Sequence, residues 1–566
     1  MSRLAAILVY AFTAAFFAVF FLYPTTQTLG GAFFDVDGHF TFAYVKEVFK
    51  NPIYIEGLRN AFGLAVTSTA AAFALSMPLA WLGDRFEFAG KKLLSALLLA
   101  PMVLPPFVGA IGIKKIFGQE GSFNALLRDV GLLGQNHAVD WLGQHRFWGV
   151  VALNALHLYP ILYLNVAAAL ANIDPAMEEA AENLGCTGLK KFFKITLPLI
   201  TPGVFAGGTI VFIWAFTELG VPLIFDYNRV TPVQIYYGIK DIGSSPFPYA
   251  LVAVMLVSTV LLYAVSRLTV GRRAGDLTMM AKATSRGGPR ALTRWAGIAC
   301  AAAFVVVIFL ALLPHVGVVL VAFSNDWYGT ILPQSWTLGN FQTALGHSLT
   351  VPSIGNSLRY AAASTVFDAV LGVGIAYVVV RTTLPLRHLL DALAMLPLAV
   401  PGLVLAFGYL AMTQETKFFA FLNPVKNPVP LLIIAYSVRR LPYMVRSAAA
   451  GYQQSSVTLE EAAQNLGCPP WRSLWRVTLP LIAANLLAGG LLTFSFAMLE
   501  VSDSLLLAQK QEYYPITKAI YELFALLGSG RAVASALGVW AMVFLGVTIL
   551  AASLLLGKKM GALFRA

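Results

Sequence analysis

Residues 178–200 read EEAAENLGCTGLKKFFKITLPLI, and residues 460–482 read EEAAQNLGCPPWRSLWRVTLPLI, so one pattern occurs twice without a gap. The second copy lies 282 residues after the first. A further match lies upstream, where an offset of 296 residues carries Arg85 onto Arg381. Self-similarity over so long a period indicates an internal repeat. The sequence therefore predicts two homologous halves.

The halves are separated by a polar segment. Residues 271–294, GRRAGDLTMMAKATSRGGPRALTR, are rich in glycine and arginine and contain no long apolar run. Such a composition is typical of a flexible linker. We therefore predict a first half at 1–270, a basic cytoplasmic linker at 271–294 and a second half at 295–566.

The composition places most of the chain in lipid. The 566 residues are 58% hydrophobic and 12% charged, with a mean hydropathy of +0.74, whereas soluble domains are about a quarter charged. Because only helices and closed barrels satisfy backbone polar groups in lipid, we predict an all-α membrane protein with six spans in each half. Runs of sufficient length occur at 4–23, 57–82, 92–115, 147–172, 199–226, 247–270, 295–322, 354–380, 388–413, 428–451, 482–508 and 533–557.

The formal net charge of +12 follows from membrane orientation and requires no nucleic-acid partner. With the N-terminus inside, the cytoplasmic segments carry the larger share of Lys and Arg, above all in the linker. This bias predicts a multi-pass protein of the inner (plasma) membrane with both termini in the cytoplasm. An even number of spans gives the two halves the same orientation, as in parallel repeats.

The repeated stretch lies on the cytoplasmic side, between the fourth and fifth spans of each half. We predict a charged helix, a break and a second amphipathic segment within the loops 174–198 and 456–480. Glu178, Glu179 and Glu182 are expected on one side of the first helix. The helix is expected to stop at a glycine that caps its C-terminus, and a proline begins the next membrane helix. Such a segment can dock into a groove of a partner and transmit movement to the membrane helices.

The spacing in each copy is Glu-Ala-Ala, three residues, Gly, nine residues, an apolar residue, any residue and Leu-Pro. This pattern resembles the signature loop of binding-protein-dependent ABC importer permeases, and the resemblance extends over nearly the whole chain. It implies the type I importer permease fold, with the first helix of each half wrapped around the other half. It also implies that each loop couples to an ATPase through Glu178, Glu179, Ala180, Ala181, Gly185 and Pro198, and through Glu460, Glu461, Ala462, Ala463, Gly467 and Pro480.

The chain carries no phosphate-binding loop of the form G-x-x-x-x-G-K-[ST], so we predict a transport subunit and not an enzyme. The resemblance then implies a separate cytoplasmic ABC ATPase, in two copies, which holds ATP and Mg²⁺. It also implies an extracytoplasmic substrate-binding protein. No cofactor is expected on this chain. No metal is expected either, because no histidine–cysteine cluster has the spacing of a metal site.

Two glutamates match at the offset of 282 within predicted spans, Glu218 and Glu500, and Asp503 follows one turn later. Intramembrane carboxylates are costly and often functional, so we expect these three residues to line the outer part of the translocation pathway. An anionic lining would suit a cation. The alternative is that they mark polar helix ends. His157, alone in the fourth span, is expected to be a hydrogen-bonded packing residue.

Among the importer permeases, fused chains of this length most resemble the ferric-iron class, so ferric iron is the expected substrate. Thiamine, aminoethylphosphonate and polyamine permeases are the alternatives within the family. A secondary transporter with two six-helix repeats is the alternative class, because residues 83–92, GDRFEFAGKK, faintly resemble a loop of the major facilitator family. The spacing between Arg85 and Gly90 does not fit that loop, and a secondary transporter would not need two coupling loops.

Overall fold

The computed structural model describes residues 3–35, 37–102, 105–134, 136–143, 146–266, 290–398, 400–526 and 528–556. These residues are almost entirely helical, which confirms the predicted all-α class. The first half contains α1 (Arg3–Phe17), α2 (Tyr23–Phe33), α3 (Ala43–Val48), α4 (Pro52–Arg85), α5 (Lys91–Leu97), α6 (Pro106–Phe117), α7 (Ser122–Asp129), α8 (Phe147–Leu170), α9 (Pro175–Asn183), α10 (Gly188–Lys191), α11 (Leu197–Phe216), α12 (Gly220–Ile224), α13 (Thr231–Gly238) and α14 (Phe247–Ser266).

The second half repeats this order. It contains α15 (Arg294–Phe323), α16 (Gly339–Gly346), α17 (Thr350–Arg381), α18 (Arg387–Met395), α19 (Gly402–Met412), α20 (Val429–Gln454), α21 (Val457–Asn465), α22 (Pro470–Ser473), α23 (Leu479–Met498), α24 (Ser502–Leu507), α25 (Ile516–Ala525) and α26 (Gly530–Leu556). Two small sheets pair β1 (Phe86–Glu87) in parallel with β2 (Arg290–Ala291), and β3 (Ser324–Asp326) in antiparallel with β4 (Ser335–Trp336).

Each of the twelve predicted spans has a helical counterpart, but one of them is unusually polar. Within the described residues, nine helices are long and apolar enough to cross a membrane, and two bent helix pairs bring the number to 11. The remaining counterpart is α20, at the predicted span 428–451. Its sequence includes Arg439, Arg440 and Arg446, too many charges for an ordinary lipid-facing span.

The sequence predicted single helices at 92–115 and 388–413, but both of these spans are bent. The helices Lys91–Met102 and Pro106–Asp129 meet at 95°, and Arg387–Leu398 and Gly402–Met412 meet at 99°. Each second helix begins after a proline in extended conformation, Pro105 in the first half and Pro401 in the second. Proline lacks the amide hydrogen that helix continuity requires, so the repeated prolines explain the two bends.

The predicted spans 199–226 and 482–508 are also interrupted. Helix α11 ends at Phe216 and α12 begins at Gly220, while α23 ends at Met498 and α24 begins at Ser502. The predicted pathway glutamates lie in these two breaks. A side chain in a break can bind the free amides at the start of the next helix, and the Glu218 carboxylate accepts a hydrogen bond from the Val221 amide in the first turn of α12.

The first helices of the two halves cross over, as the family resemblance implied. Helices α1 and α2 pack against α17, α18 and α19 of the second half, and α15 packs against α6 of the first half. Within each half, the second, fourth and fifth spans form the main bundle: α4, α8 and α11, and correspondingly α17, α20 and α23.

The predicted linker 271–294 lies mostly outside the described residues. Its last part is described at β2, where Arg290 and Ala291 pair with Phe86 and Glu87 in the loop that follows α4. The end of the linker is therefore attached to the first half, beside the C-terminal end of α4, before α15 begins.

The contact of α15 with the first half depends on two glycines. A Cβ atom added at Gly112 would overlap the Pro314 carbonyl oxygen, and one at Gly317 would lie 2.8 Å from the Gly112 Cα. We predict that Gly112→Ala lowers the stability of the purified protein by about 1–3 kcal/mol, as overpacking does. Gly355, whose added Cβ would meet nothing within 4 Å, provides the control. An equal thermal midpoint for the two alanine variants in detergent would show that this crossing tolerates an extra methyl group.

Candidate functional site

Each of the two repeated loops begins with a capped helix. Asp174 accepts a hydrogen bond from the Ala176 amide at 3.0 Å, ahead of α9, and Ser456 accepts one from the Thr458 amide at 3.3 Å, ahead of α21. Short polar side chains at this position satisfy the free amides of a helix N-terminus. The two loops therefore start their helices at equivalent residues by the same means, although the capping residue differs.

Both helices end in the same glycine-dependent turn. The Gly185 amide donates to the Glu182 carbonyl, and the Cys186 amide donates to the Ala181 carbonyl, each at 2.9 Å. The turn requires a left-handed residue, and the φ angles of Gly185 and Gly467 are 78° and 81°. The break that the sequence predicted at these glycines lies where it was expected.

After the turn, each chain runs without interruption into a membrane helix. A four-residue helix leads into a π-helical turn, Phe192–Thr196 in the first half and Leu474–Thr478 in the second, and then into α11 or α23. Pro198 and Pro480 occupy the second position of these helices, where a missing amide hydrogen costs little. The loops are thus continuous with the fifth span of each half.

Glu178 does not share the exposed side of the helix with Glu179, as the sequence suggested. The Glu178 side chain is buried, and its carboxylate lies 2.5 Å from a guanidinium nitrogen of Arg85 at the end of α4. The Thr196 hydroxyl donates to the same carboxylate oxygen at 2.8 Å. Glu178 therefore fixes α9 to a membrane helix and is not available to a partner.

The second half has the same arrangement with looser geometry. Glu460 is buried, and its carboxylate lies 3.7 Å from Arg381 Nε at the end of α17. Arg381 also donates to the Ser455 carbonyl at 2.7 Å. The arginines that match at the offset of 296 therefore bind the glutamates that match at 282. Both offsets are visible in the sequence, but neither of them indicates that the matched arginine contacts the matched glutamate.

On the opposite face of α9 and α21, Glu179 and Glu461 form no ion pair among the described residues. Glu179 and Glu461 are exposed, as are Ala180 and Ala462, whereas Ala181 is buried and Ala463 is partly exposed. Beside them, Leu184 and Leu466 are 87% and 89% exposed at equivalent positions. The repeat thus places an exposed leucine close in sequence to an exposed glutamate in both loops.

The two loops differ in their charges. In the first loop the Lys191 ammonium lies 2.6 Å from a Glu182 carboxylate oxygen and lowers the pKa of that carboxyl. In the second loop the position of Glu182 is occupied by Gln464, and Arg472 stands where the first loop has Lys190. The repeat thus preserves the backbone geometry and the buried glutamate more closely than the exposed charges.

A cavity of about 160 Å³ lies between the two halves. It is lined at the bends by Met102 and Pro106 of the first half and by Pro401 and Gly402 of the second. The breaks after α11 and α23 supply Glu218 and Glu500, and the fourth spans supply Asn154, His157, Arg439 and Arg440. The two glutamates that the sequence singled out thus face a common space.

The lining is not anionic, which corrects the expectation drawn from the carboxylates. The Glu500 carboxylate lies 2.5 Å from Arg439 and is hydrogen-bonded to Arg440. Asp503 is fully buried, 3.6 Å from Arg439, and does not line the cavity. The arginines lie inside a predicted span, where hydropathy alone does not reveal their partners. The sequence did contain one clue to this difference between the halves, because Arg439 lies 282 residues after His157 and so occupies the equivalent position.

One exposed group outside the cavity has the composition of a cation site. The ligand atoms of Asp35, Asp37 and His39 lie within 4.8 Å of one another. Asp35 Oδ1 also accepts hydrogen bonds from the amides of Asp37 and His39. These hydrogen bonds account for the turn without any ion.

Comparison with known proteins gives one family, and the relatives include ferric and molybdenum permeases. The family described as binding-protein-dependent transport system inner membrane component matches residues 72–276 and 368–559. The ferric transport system permease protein FbpB of Actinobacillus pleuropneumoniae is 27% identical over 512 residues, which cover 85% of this chain and 69% of that protein. The putative ferric transport system permease protein FbpB 1 of Haemophilus influenzae is 27% identical over 502 residues, covering 85% and 75%. The molybdenum transport system permease protein ModB of Escherichia coli K12 is 33% identical over 187 residues, covering 32% and 78%.

The burial of Glu178 and the exposure of Glu179 predict opposite results for the same substitution. Glu178→Gln removes the charge that binds Arg85 and should weaken local protection of residues 175–184 by about 1–3 kcal/mol, the cost of disturbing a buried charged hydrogen bond. Glu179→Gln should leave protection unchanged. Amide hydrogen exchange of the two variants in detergent measures the difference. Equal exchange in both would contradict the anchoring role of Glu178.

Proposed function

Because the chain belongs to the family of binding-protein-dependent transport system inner membrane components, it is a membrane-embedded permease of an ABC importer, and we propose that its substrate is ferric iron. The ferric transport permeases match both halves of the chain together, over 85% of its length. The molybdenum permease matches about a third of it, which is the length of one half's core. The observation that carries the ferric assignment is that three relatives matching across both fused halves are named as ferric or Fe(3+) transport permeases.

We propose that two copies of a separate ABC ATPase bind this chain, one at each coupling loop. The supporting observation is the repetition of one exposed surface. Each loop presents a glutamate and a neighbouring leucine, Glu179 with Leu184 and Glu461 with Leu466, on a short helix held from behind. An apolar residue surrounded by polar ones is the usual composition of a small docking surface. ATP and Mg²⁺ belong to the partner in this proposal.

The same contacts suggest how ATP hydrolysis would move the pathway. The buried glutamate ties the coupling helix to the second span of each half, and the π-helical turn ties it to the fifth span. Helix α11 has 20 residues and therefore spans about 30 Å. It ends next to Glu218 at the cavity. A displacement of the loop would therefore be transmitted to the cavity through a continuous helix, without an intervening flexible segment to absorb the movement.

This proposal fixes the orientation of the chain. The coupling loops and both termini face the cytoplasm, and the loops that follow α11 and α23 face the extracytoplasmic space, where a substrate-binding protein delivers the substrate. The cavity between the halves, with Glu218 and Glu500 in its wall, is then part of the translocation pathway.

ATPase docking is tested by reversing the charge of the exposed glutamates. We expect Glu179→Lys with Glu461→Lys to reduce co-purification of the ATPase at least tenfold, because both docking surfaces then carry the opposite charge beside their leucines. Glu120→Lys with Glu415→Lys makes the same charge change at exposed positions of the opposite face and should leave assembly intact. Equal recovery of the ATPase with both double variants would contradict docking at these loops.

The substrate is tested with the complete importer in proteoliposomes. We expect ATP-dependent accumulation of ⁵⁵Fe(III) delivered by the binding protein, and no competition by molybdate. Accumulation of labelled molybdate in place of iron would replace the ferric assignment with that of the shorter relatives. The double variant Glu179→Lys, Glu461→Lys should abolish accumulation in either case.

A further inference from the structure

The two glutamates of the cavity occupy equivalent positions in the repeat but differ in their surroundings. Glu500 is 4% exposed and shares its carboxylate between Arg439 and Arg440. Glu218 accepts a hydrogen bond from the Val221 amide at 3.1 Å, and among the described residues it forms no ion pair with a lysine or arginine. One carboxylate is therefore paired with two arginines within the protein, while the other faces the cavity without such a partner among the described residues.

The residues that surround Glu218 are also suited to a ligand. His157 Nδ1 lies 2.8 Å from the Pro101 carbonyl oxygen. A histidine that donates from one ring nitrogen to a backbone carbonyl presents the lone pair of the other, which is the usual arrangement of a metal-binding imidazole. At the equivalent position of the second half stands Arg439, which binds Glu500 and cannot bind a cation.

Asn154 lies one helical turn before His157 on α8 and lines the same cavity. It is 3% exposed, and its amide nitrogen has no hydrogen-bond partner among the described residues. Buried amides are normally satisfied by protein or by water. The Asn154 side-chain nitrogen is a hydrogen-bond donor, and a cavity large enough for several waters can supply the acceptor, for example a water molecule bound to a substrate cation.

We propose that the first half alone forms the substrate-binding wall of the cavity, where Glu218 and His157 bind the metal cation in transit and the Asn154 amide donates to its hydration water. The second half supplies a wall closed by the Arg439–Glu500–Arg440 cluster, which holds the break after α23 in place. Imidazole and carboxylate groups are ligands that iron accepts in proteins. This inference rests on the proposed import of ferric iron, and it makes the site asymmetric although the fold is a repeat.

The test compares Glu218→Gln with Glu500→Gln in the complete importer, with Glu120→Gln as an exposed control. The Glu218→Gln side chain retains an oxygen for the Val221 amide, so we expect normal assembly, ATPase activity stimulated by the binding protein within twofold of wild type, and ⁵⁵Fe(III) accumulation reduced at least tenfold. The Glu500→Gln variant leaves two arginines without their carboxylate, so its thermal midpoint, ATPase activity and iron accumulation should fall together. The Glu120→Gln variant should match wild type in every measurement.

The substitution His157→Gln gives a second test that does not depend on Glu218. It should lower iron accumulation at least threefold at unchanged stimulated ATPase activity. Wild-type accumulation of iron together with normal accumulation in both Glu218→Gln and His157→Gln would overturn the asymmetric site and leave the ferric assignment standing. Wild-type importer that hydrolyses ATP but accumulates no iron would overturn the ferric assignment and the cation site with it.

Discussion

The contact between an arginine at the C-terminal end of a membrane helix and the first glutamate of each repeated loop determines how the rest of the structure can work. Arg85 and Glu178 form it in the first half, and Arg381 and Glu460 form it in the second. A buried carboxylate is costly unless a charged partner and hydrogen bonds compensate it, so the coupling helix is held at one orientation. That orientation turns the following glutamate and the terminal leucine outwards, where a partner can reach them.

Inside the membrane, buried charges are again compensated by charged partners, although burying them in lipid costs more free energy. Two arginines and a glutamate lie within one predicted span and one helix break of the second half, where lipid cannot solvate them. They are tolerated because they face one another and the cavity between the halves. Phe496 also lies under the Arg440 guanidinium, with 5.5 Å to the ring centroid. The first half has histidine at the equivalent position, and its glutamate forms no ion pair within the part of the chain that the structure describes. A fused chain permits this divergence, since each half always pairs with the same other half and the two can differ in sequence.

The sequence predicted the features that depend on periodicity and local chemistry. The two halves, the helix breaks at Gly185 and Gly467, and the common location of Glu218 and Glu500 all follow from two offsets and from the conformational needs of glycine. It did not predict the bends near Pro105 and Pro401, because hydropathy identifies apolar segments but not the direction of their helix axes. It misplaced Glu178 for a similar reason: an amphipathic pattern shows which residues share a helix face, but not which charged residue has a buried partner elsewhere in the chain.

The number of ATPase subunits bound to one permease chain examines the whole scheme at once, because each coupling loop is held by its own buried ion pair and exposes its own docking surface. Native mass spectrometry of the purified importer should give one permease chain with two ATPase chains. The same measurement on the single variant Glu461→Lys should give a species with one ATPase chain. A wild-type complex with a single ATPase, or none, would contradict the account of two equivalent coupling loops.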